Sequence, residues 1–369
     1  MMTSFLRLLN NKMNSSVSGI FTLIASLLLS CLPMNTYAEI YPALEGETSQ
    51  LQILSSTDEA AMKALLLDFQ KLYPKVSVEY IDRNTVPLFE RFISDYEQGE
   101  SSDVVISSAM DLQIKLVNDG YAATHSMENI GWLPEWAQWR KQAFGFTYEP
   151  GVMVYNKQLL SSENVPQSRF ELIDKLRDQS AFFMGRVGTY DIQRSGFGYL
   201  LASQDAQQAS TWGRLTENLS NVKVKLYDST SGMLQAIKEG KLLLSYNVLG
   251  SYAYAAIEES EELGMILPSD YTLVMSRVGF VSKRARNPKA GHQFLDYLLS
   301  ERGQRLLATK VRLYPIHPAV FGEATYSGLQ KTAQNRGPLK LIKLGPALLT
   351  YQDRLKKENF LQEWDKAIH

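Results

Sequence analysis

The stretch at residues 51–74, LQILSSTDEAAMKALLLDFQKLYP, constrains the fold of this chain more than any other. An apolar run typical of a buried strand breaks at Ser55-Ser56-Thr57, and apolar residues then recur at helical spacing. Thr57 is a suitable N-cap for that helix, and the run VSVEYIDR that follows predicts a second strand. In such a unit the loop after the first strand faces a crevice, and a helix N-terminus points into it. The three hydroxyls there either bind an oxygen-rich anion or only cap the helix.

A second strand ends in the same way. Residues 103–108, DVVISS, predict a short buried strand that ends in two serines, and a helix over 110–118 follows directly. Because parallel strands have their carboxyl ends at one edge of a sheet, the two hydroxyl-bearing loops are expected to converge on one crevice. Ligand binding is then as good an interpretation as helix capping for four serines: Ser55, Ser56, Ser107 and Ser108.

A third strand-to-helix loop carries a cation. A predicted strand over residues 181–190 ends at Tyr190, and a helix opens after Arg194 and Ser195. First-turn amides and a guanidinium can act together on a carboxylate or a phosphate. We therefore favour a binding role for Arg194 over a simple surface position.

The first 38 residues have the pattern of a signal peptide. A basic start precedes an apolar segment at residues 19–32, and the run TYA that ends at Ala38 has small residues at the positions that signal peptidase reads. The apolar segment is shorter than the roughly 20 residues that span a membrane. An alternative is a lipoprotein acylated at Cys31, which ranks second because the residues before this cysteine fit the acylation motif poorly. The sequence therefore predicts export to the periplasm, with Glu39 as the first mature residue.

Cysteine and charge content exclude several classes of function. Cys31 is the only cysteine, so a chain cleaved after Ala38 has no disulfide, thiolate metal ligand or thiol nucleophile. Cleavage also leaves 36 basic against 39 acidic side chains, a net charge of about −3. This balance gives no electrostatic basis for binding nucleic acid. The remaining chain, about 330 residues, is long enough for two lobes with hydrophobic cores.

Strands and helices alternate along the rest of the chain. Residues 144–156 and 271–283 predict two long strands, and a clear helix over 290–308 follows the second of them. Such alternation is typical of an α/β protein with parallel sheets.

Several segments together resemble the solute-binding components of bacterial ABC importers, of the two-lobed type with two crossover strands. They are the export signal, LQILSSTDEAAMKALLLDFQKLYPKVSVEY, SSDVVISSAMDLQIKLVNDGYAA, YEPGVMVYNKQLL and NPKAGHQFLDYLLSERGQRLLA. The last is distinctive for the branch that contains ferric-ion, phosphonate and phosphoglycerate binders, and the resemblance covers residues 48–369. The final segment, GPALLTYQDRLKKENFLQEWDKAIH, is most similar to the phosphoglycerate-regulatory type, which is paired with a membrane sensor kinase.

The resemblance implies a two-lobed periplasmic-binding-protein fold of the α/β class, with parallel-rich sheets, that closes by a hinge on a ligand between its lobes. Lobe one is expected to comprise residues 39–145 and 276–369, and lobe two residues 146–275. Carried over by position, the family site falls on Ser55, Ser56, Ser107, Ser108, Tyr190, Arg194, Ser195 and Asn247, to which we add Thr57 and Tyr252.

One departure from the family pattern concerns iron. Iron-binding members place two adjacent tyrosines where phenolate oxygens ligate the ferric ion. Here Tyr252 and Tyr254 are separated by one residue, and no carboxylate–histidine set lies nearby. We therefore predict neither a metal site nor a cofactor, and we rank a small organic or phosphorylated anion above ferric ion as the ligand.

The sequence contains no pattern of a catalytic site. Its four histidines lack metal-ligand spacing, and it has neither a nucleophile elbow nor a phosphate-binding P-loop. We predict a monomeric binding protein, not an enzyme, whose partner is an ABC permease or, alternatively, a membrane sensor kinase. Both partners remain open, because the two functions share one ligand site and differ only in the docking surface.

Protein recovered from the periplasm should begin at Glu39, because the TYA run directs cleavage after Ala38. Intact-mass spectrometry of the exported protein measures this directly. A mass that includes an acyl group on Cys31 would contradict the prediction and identify a lipoprotein.

Overall fold

The computed structural model describes residues 38–128 and 130–368, so the predicted signal peptide up to residue 37 and Cys31 lie outside the described part. The strands are β1 (Ala38–Tyr41), β2 (Ser49–Ser55), β3 (Val76–Asp82), β4 (Val104–Ser107), β5 (Gln138–Trp139), β6 (Ala143–Gly145), β7 (Glu149–Asn156), β8 (Val187–Tyr190), β9 (Lys225–Tyr227), β10 (Leu244–Leu249), β11 (Leu263–Ile266), β12 (Thr272–Met275), β13 (Val278–Val281) and β14 (Leu339–Leu341). The helices are α1 (Glu59–Leu72), α2 (Thr85–Gln98), α3 (Met110–Asn118), α4 (Arg169–Asp178), α5 (Ser180–Phe183), α6 (Gly196–Ala206), α7 (Ala209–Asn221), α8 (Thr230–Lys238), α9 (Gly250–Glu259), α10 (Pro288–Leu299), α11 (Glu301–Leu306), α12 (Tyr326–Ala333) and α13 (Arg354–Ile368). No helix in these two described ranges is long and apolar enough to cross a membrane.

The first lobe is built on the predicted opening unit. Strand β2 pairs in parallel with β3 on one side and β4 on the other, within a sheet of order β1-β3-β2-β4-β13-β6-β5. Helix α1 buries its apolar face, including Leu65, Leu66 and Phe69, in the core of this lobe. The helix begins at Glu59, so Asp58 is its N-cap in place of the expected Thr57. The predicted helix over 110–118 is confirmed as α3.

The second lobe is built on a sheet of order β14-β12-β7-β10-β8-β9, with β11 also paired to β7. Its neighbours β10, β8 and β9 are parallel, whereas β7 runs antiparallel to β10, β11 and β12. In the first sheet, β13 likewise runs antiparallel to β4 and β6. Both sheets are therefore mixed, because the strands that pass between the lobes run against the strand–helix–strand units.

The two predicted crossover strands are each divided in the structure. Residues 144–156 form β6 and β7, which belong to different sheets, and residues 271–283 form β12 and β13, which also belong to different sheets. Backbone hydrogen bonds hold the two breaks together: the Phe146 amide donates to the Arg277 carbonyl at 3.1 Å. The expectation of two continuous strands was wrong because each chain segment must leave one sheet and enter the other. Only residues 187–190 of the predicted strand over 181–190 are extended, since helix α5 ends at Phe183.

The C-terminal segment differs from the predicted division into lobes. Strand β13 and helices α10 and α11 lie in the first lobe, but β14 pairs in parallel with β12 in the second sheet. Helix α13 packs against the second lobe, where Phe360 and Trp364 stack on Trp212 with ring centroids 5.8 and 5.7 Å apart. The apolar face of α13 therefore covers α7, and the residues that follow about position 320 do not all belong to the first lobe.

Two of the histidines form a hydrogen-bonded chain in the first lobe. His125 Nε2 lies 3.0 Å from Asp296 Oδ1, and His125 Nδ1 lies 2.7 Å from His292 Nδ1. Because a carboxylate accepts, a neutral His125 carries its proton on Nε2, and His292 is then the donor in the second bond. Burial, followed by the neighbouring His125, lowers the pKa of His292.

Acidification should destabilise the fold through this pair. The lowered pKa of His292 means that the unfolded chain binds the proton more readily than the folded one. The stabilising contribution is complete above about pH 6.5 and is lost as the pH falls below that value. Thermal unfolding at pH 7.5 and 5.5 should show a smaller drop in midpoint for His292→Gln than for the native chain. An equal drop in both proteins would rule out this account.

Candidate functional site

A small polar cavity lies between the two lobes. About 50 Å³ of it is open to the centre of a water molecule, which is room for a few waters or a small solute. Its lining is rich in hydroxyls and consists of Ser56, Asp58, Asn84, Thr85, Ser108, Tyr190, Ser195, Phe197, Asp228, Ser229, Thr230, Ser231, Leu249, Tyr252 and Arg277.

Six of the described helices begin at this cavity. The N-cap residues of α1, α2, α6, α8 and α9 line it, and Ser108 lines it just before α3. The side chains of Ser195 and Ser229 cap α6 and α8 by accepting from Gly198 and Gly232 at 3.1 and 3.2 Å. First-turn amides have no partner within their own helix, and the helix dipole adds partial positive charge there. The cavity therefore offers amide and hydroxyl donors from both lobes.

In each of the two predicted serine pairs, the first serine is buried and the second lines the cavity. Ser55 and Ser107 are buried, and their hydroxyls accept from the amides two residues later at 3.1 and 3.2 Å. Ser56 and Ser108 line the cavity, with their hydroxyl oxygens 3.4 Å apart. The first serine of each pair thus fixes the loop, and the second one faces the space where a ligand can bind. The predicted convergence of the two loops is confirmed by this geometry.

Two tyrosines of the second lobe line the cavity as protonated phenols. Tyr190 is hydrogen-bonded to the hydroxyl of Thr230, and burial raises the pKa of Tyr190 well above its usual value. Tyr252 accepts a hydrogen bond from the Asp58 amide at 3.1 Å, and burial raises the pKa of Tyr252 to about 12. Both side chains therefore keep their hydroxyl protons at neutral pH.

Arg277, which the sequence analysis missed, lies at the break between β12 and β13 and lines the cavity. The residue is only 1% exposed, and its Nε donates to Glu149 Oε1 at 3.0 Å. Its Nη1 donates to Thr57 Oγ1 at 2.6 Å, which explains why Thr57 is buried beside the cavity and not in its lining. Burial acts to lower the pKa of Arg277, but Glu149 raises it above the usual value, so the guanidinium stays charged. The one sequence signal was a lone arginine inside an apolar, strand-like run.

Besides Ser55, Thr57 and Ser107, two further predicted site residues lie outside the lining. Arg194 is 71% exposed and pairs with Asp228 at 3.2 Å, which places its guanidinium at the rim. Asn247 sits at a bulge of β10 with φ of +61°, and its amide donates to Asp205 Oδ2 at 2.9 Å. Asp205 also accepts from Tyr246 at 2.7 Å, within a buried network behind the cavity.

Tyr252 and Tyr254, the two tyrosines considered as iron ligands, do not face the same space. Tyr252 lines the cavity, whereas the hydroxyl of Tyr254 donates to Glu323 at 2.9 Å and is not in the lining. Within residues 38–128 and 130–368, no group of three or more histidine, cysteine or carboxylate side chains is placed to hold a metal ion.

Comparison with known proteins identifies the family. A family model for bacterial extracellular solute-binding proteins matches residues 54–305. The chain belongs to this family. Its structure is similar to that of the substrate-binding protein of an ABC transporter from Agrobacterium tumefaciens, with 35% sequence identity and a TM-score of 0.86. That match covers 91% of this chain and 100% of the other.

More distant solved structures share the fold. AfuA from Actinobacillus pleuropneumoniae, with exogenous fructose-6-phosphate bound, is 19% identical, with a TM-score of 0.72 and coverage of 87% of this chain and 99% of that one. Iron-bound HitA from Pseudomonas aeruginosa is 18% identical, with a TM-score of 0.65 and the same coverage of both chains. At these identities the likeness concerns the fold alone. A search among curated proteins gave no match.

Family membership sets the general role of this solute-binding protein. Its relatives serve ABC transporters and are transport proteins, not enzymes. Membership also implies export from the cytoplasm and an ABC permease as the partner. The two-lobed α/β fold that the sequence predicted is confirmed.

The Arg277–Glu149 pair should be needed as a unit for stability. Arg277→Met should lower the free energy of unfolding by about 3–5 kcal/mol, because Glu149 then remains buried without its cation. Arg277→Met combined with Glu149→Met should recover at least half of that loss, since neither charge is left alone. Urea unfolding of the two single variants and the double variant measures the coupling. Additive losses in the double variant would show that the pair is not coupled.

Proposed function

We propose that this protein captures a small organic or phosphorylated anion in the cavity between its lobes and delivers it to an ABC permease. The observation that carries the proposal is the meeting of six helix N-termini with one buried guanidinium. Amide groups at helix N-termini suit carboxylate and phosphate oxygens, and a guanidinium adds charge-assisted hydrogen bonds.

The hydroxyl groups of the lining add to this preference. Nine side chains there carry hydroxyls: Ser56, Thr85, Ser108, Tyr190, Ser195, Ser229, Thr230, Ser231 and Tyr252. A hydroxyl can donate one hydrogen bond to a ligand oxygen, except where it already donates within the protein, as Ser231 does to Asp58. Because the donors come from both lobes, a ligand gains its full set of hydrogen bonds only when the lobes are closed.

Hydrogen bonds across the cavity join the two lobes in a closed arrangement. The Gly196 amide at the start of α6 donates to Thr85 Oγ1 at 2.8 Å. On another side of the cavity, the Ser231 hydroxyl donates to Asp58 Oδ2 at 3.2 Å. We propose that ligand binding favours this closed form over an open one, since the ligand bridges the same elements.

Ferric ion is a poorer ligand for this cavity. A ferric site needs several anionic oxygens on one ion, but of Tyr252 and Tyr254 only Tyr252 lines the cavity, since Tyr254 donates to Glu323. We therefore place iron behind an organic or phosphorylated anion.

A thermal-shift screen of organic acids, sugar phosphates, phosphonates, neutral sugars and ferric citrate should show stabilisation by members of the first three groups. Calorimetry on a hit then compares two ways of removing an arginine. The double variant Arg277→Met/Glu149→Met should weaken binding about 10- to 100-fold, because a charge-assisted hydrogen bond is lost. The control Arg194→Ala removes a rim arginine and should change the affinity no more than about fivefold, as expected for an exposed ion pair.

Two outcomes would contradict the anion proposal. One is stabilisation only by neutral sugars or by ferric ion. The other is an anion whose affinity depends on Arg194 more than on the Arg277–Glu149 pair, which would place the ligand at the rim.

A further inference from the structure

The charges around the cavity do not favour a simple anion. Its lining contains two carboxylates, Asp58 and Asp228, against one guanidinium, Arg277. Arg277 is already paired with Glu149, and Asp228 is already paired with Arg194. Within residues 38–128 and 130–368, no salt bridge involves Asp58, a solvent-exposed residue of the lining, so the cavity carries one carboxylate more than its salt bridges neutralise.

The Asp58 side chain also does not cap its own helix, although Asp58 is the N-cap residue. An N-cap aspartate normally accepts from amides in the first turn of its own helix, but the Asp58 side chain makes no such bond. Asp82 takes this role, since its Oδ2 accepts from the Glu59 amide at 3.0 Å. The Asp58 carboxylate is therefore free to take part in the cavity.

Two residues of the second lobe hold Asp58 in place there. The Ser231 hydroxyl donates to Asp58 Oδ2 at 3.2 Å, and Tyr252 accepts from the Asp58 amide at 3.1 Å. A carboxylate has about four acceptor sites on its two oxygens, so one bond from Ser231 leaves capacity for a ligand.

We propose that the ligand is a small zwitterion, in which an ammonium group accompanies the carboxylate or phosphate. This inference rests on the proposed function: the helix N-termini and Arg277 hold the anionic end. Asp58 accepts hydrogen bonds from the ammonium end. Asp58 repels an anion alone, whereas a zwitterion places its positive end against that carboxylate.

Matched compounds that differ only by an amino group test this directly. Suitable pairs are β-alanine with propionate, O-phosphoethanolamine with ethyl phosphate, and 2-aminoethylphosphonate with ethylphosphonate. In calorimetry on the mature chain, the amino member of at least one pair should bind tenfold or more tightly than its partner, because a charge-assisted hydrogen bond is gained.

The variant Asp58→Asn identifies the group responsible. It keeps the size of the side chain and an oxygen that can accept from Ser231, but it removes the negative charge. The amino member should lose tenfold or more in affinity, while the amino-free member should bind as well as before or better. The matched control is Glu59→Gln, the same charge change one residue further along, outside the lining. This control should retain the preference for the amino member.

The possible failures are distinguishable. Equal affinity for both members of every pair would overturn the zwitterion proposal and leave the anion proposal standing. Asp58→Asn that weakens both members equally would also overturn it, and would give Asp58 only the role of joining the lobes. If no member of any pair binds, and neutral sugars or metal ions do, the proposed function fails and this inference fails with it.

Discussion

The buried ion pair between Arg277 and Glu149 is the interaction on which the rest of the structure depends. The two residues lie 128 positions apart, and each stands where a crossover segment leaves one sheet for the other. An unpaired charge at this depth would cost several kcal/mol, so the two breaks must lie side by side. Strand pairing fixes the same juxtaposition, because Met275 is in register with Glu149 and Val278 with Gly145. The two crossover segments are therefore held side by side.

The same pair connects the junction of the lobes to the ligand cavity. Arg277 reaches Thr57, and Thr57 belongs to the loop that carries Ser56 into the lining. Ser56 in turn accepts from the amide of Ser108, which joins the second serine loop to the first. A change at the crossovers is thus expected to alter the cavity, even where no ligand contact is removed. The crossover junction and the cavity are therefore connected through Arg277, the loop of Ser56 and Thr57, and Ser108.

Local sequence signals predicted the parts of the site that depend on local geometry. The unit of β2, α1 and β3 and the helix after Ser108 follow from short-range periodicity, and so does the convergence of their loops. Local signals gave no means of telling Ser55 from Ser56, because the choice depends on how the turn after β2 closes. They favoured Arg194 and missed Arg277 for a similar reason. The motif at Arg194 is visible within ten residues, whereas the position of Arg277 depends on a partner in a distant crossover and on which strand breaks.

The cavity combines one arginine, which keeps Glu149 as a permanent partner, with many neutral donors, which can exchange a ligand for water. When the lobes open, water enters and satisfies hydroxyl and amide groups at little cost. A guanidinium freed from its partner in a poorly hydrated pocket would be far more costly, and Arg277 avoids this because Glu149 stays with it in the same junction. Under the proposed function, a ligand competes with water for the unpaired neutral donors and shares a charge that is already stabilised. On this proposal, recognition depends on the donors that closure would bring together, such as Ser108 and Thr230 from opposite lobes, and the closed form would be the state that presents a bound solute to the permease.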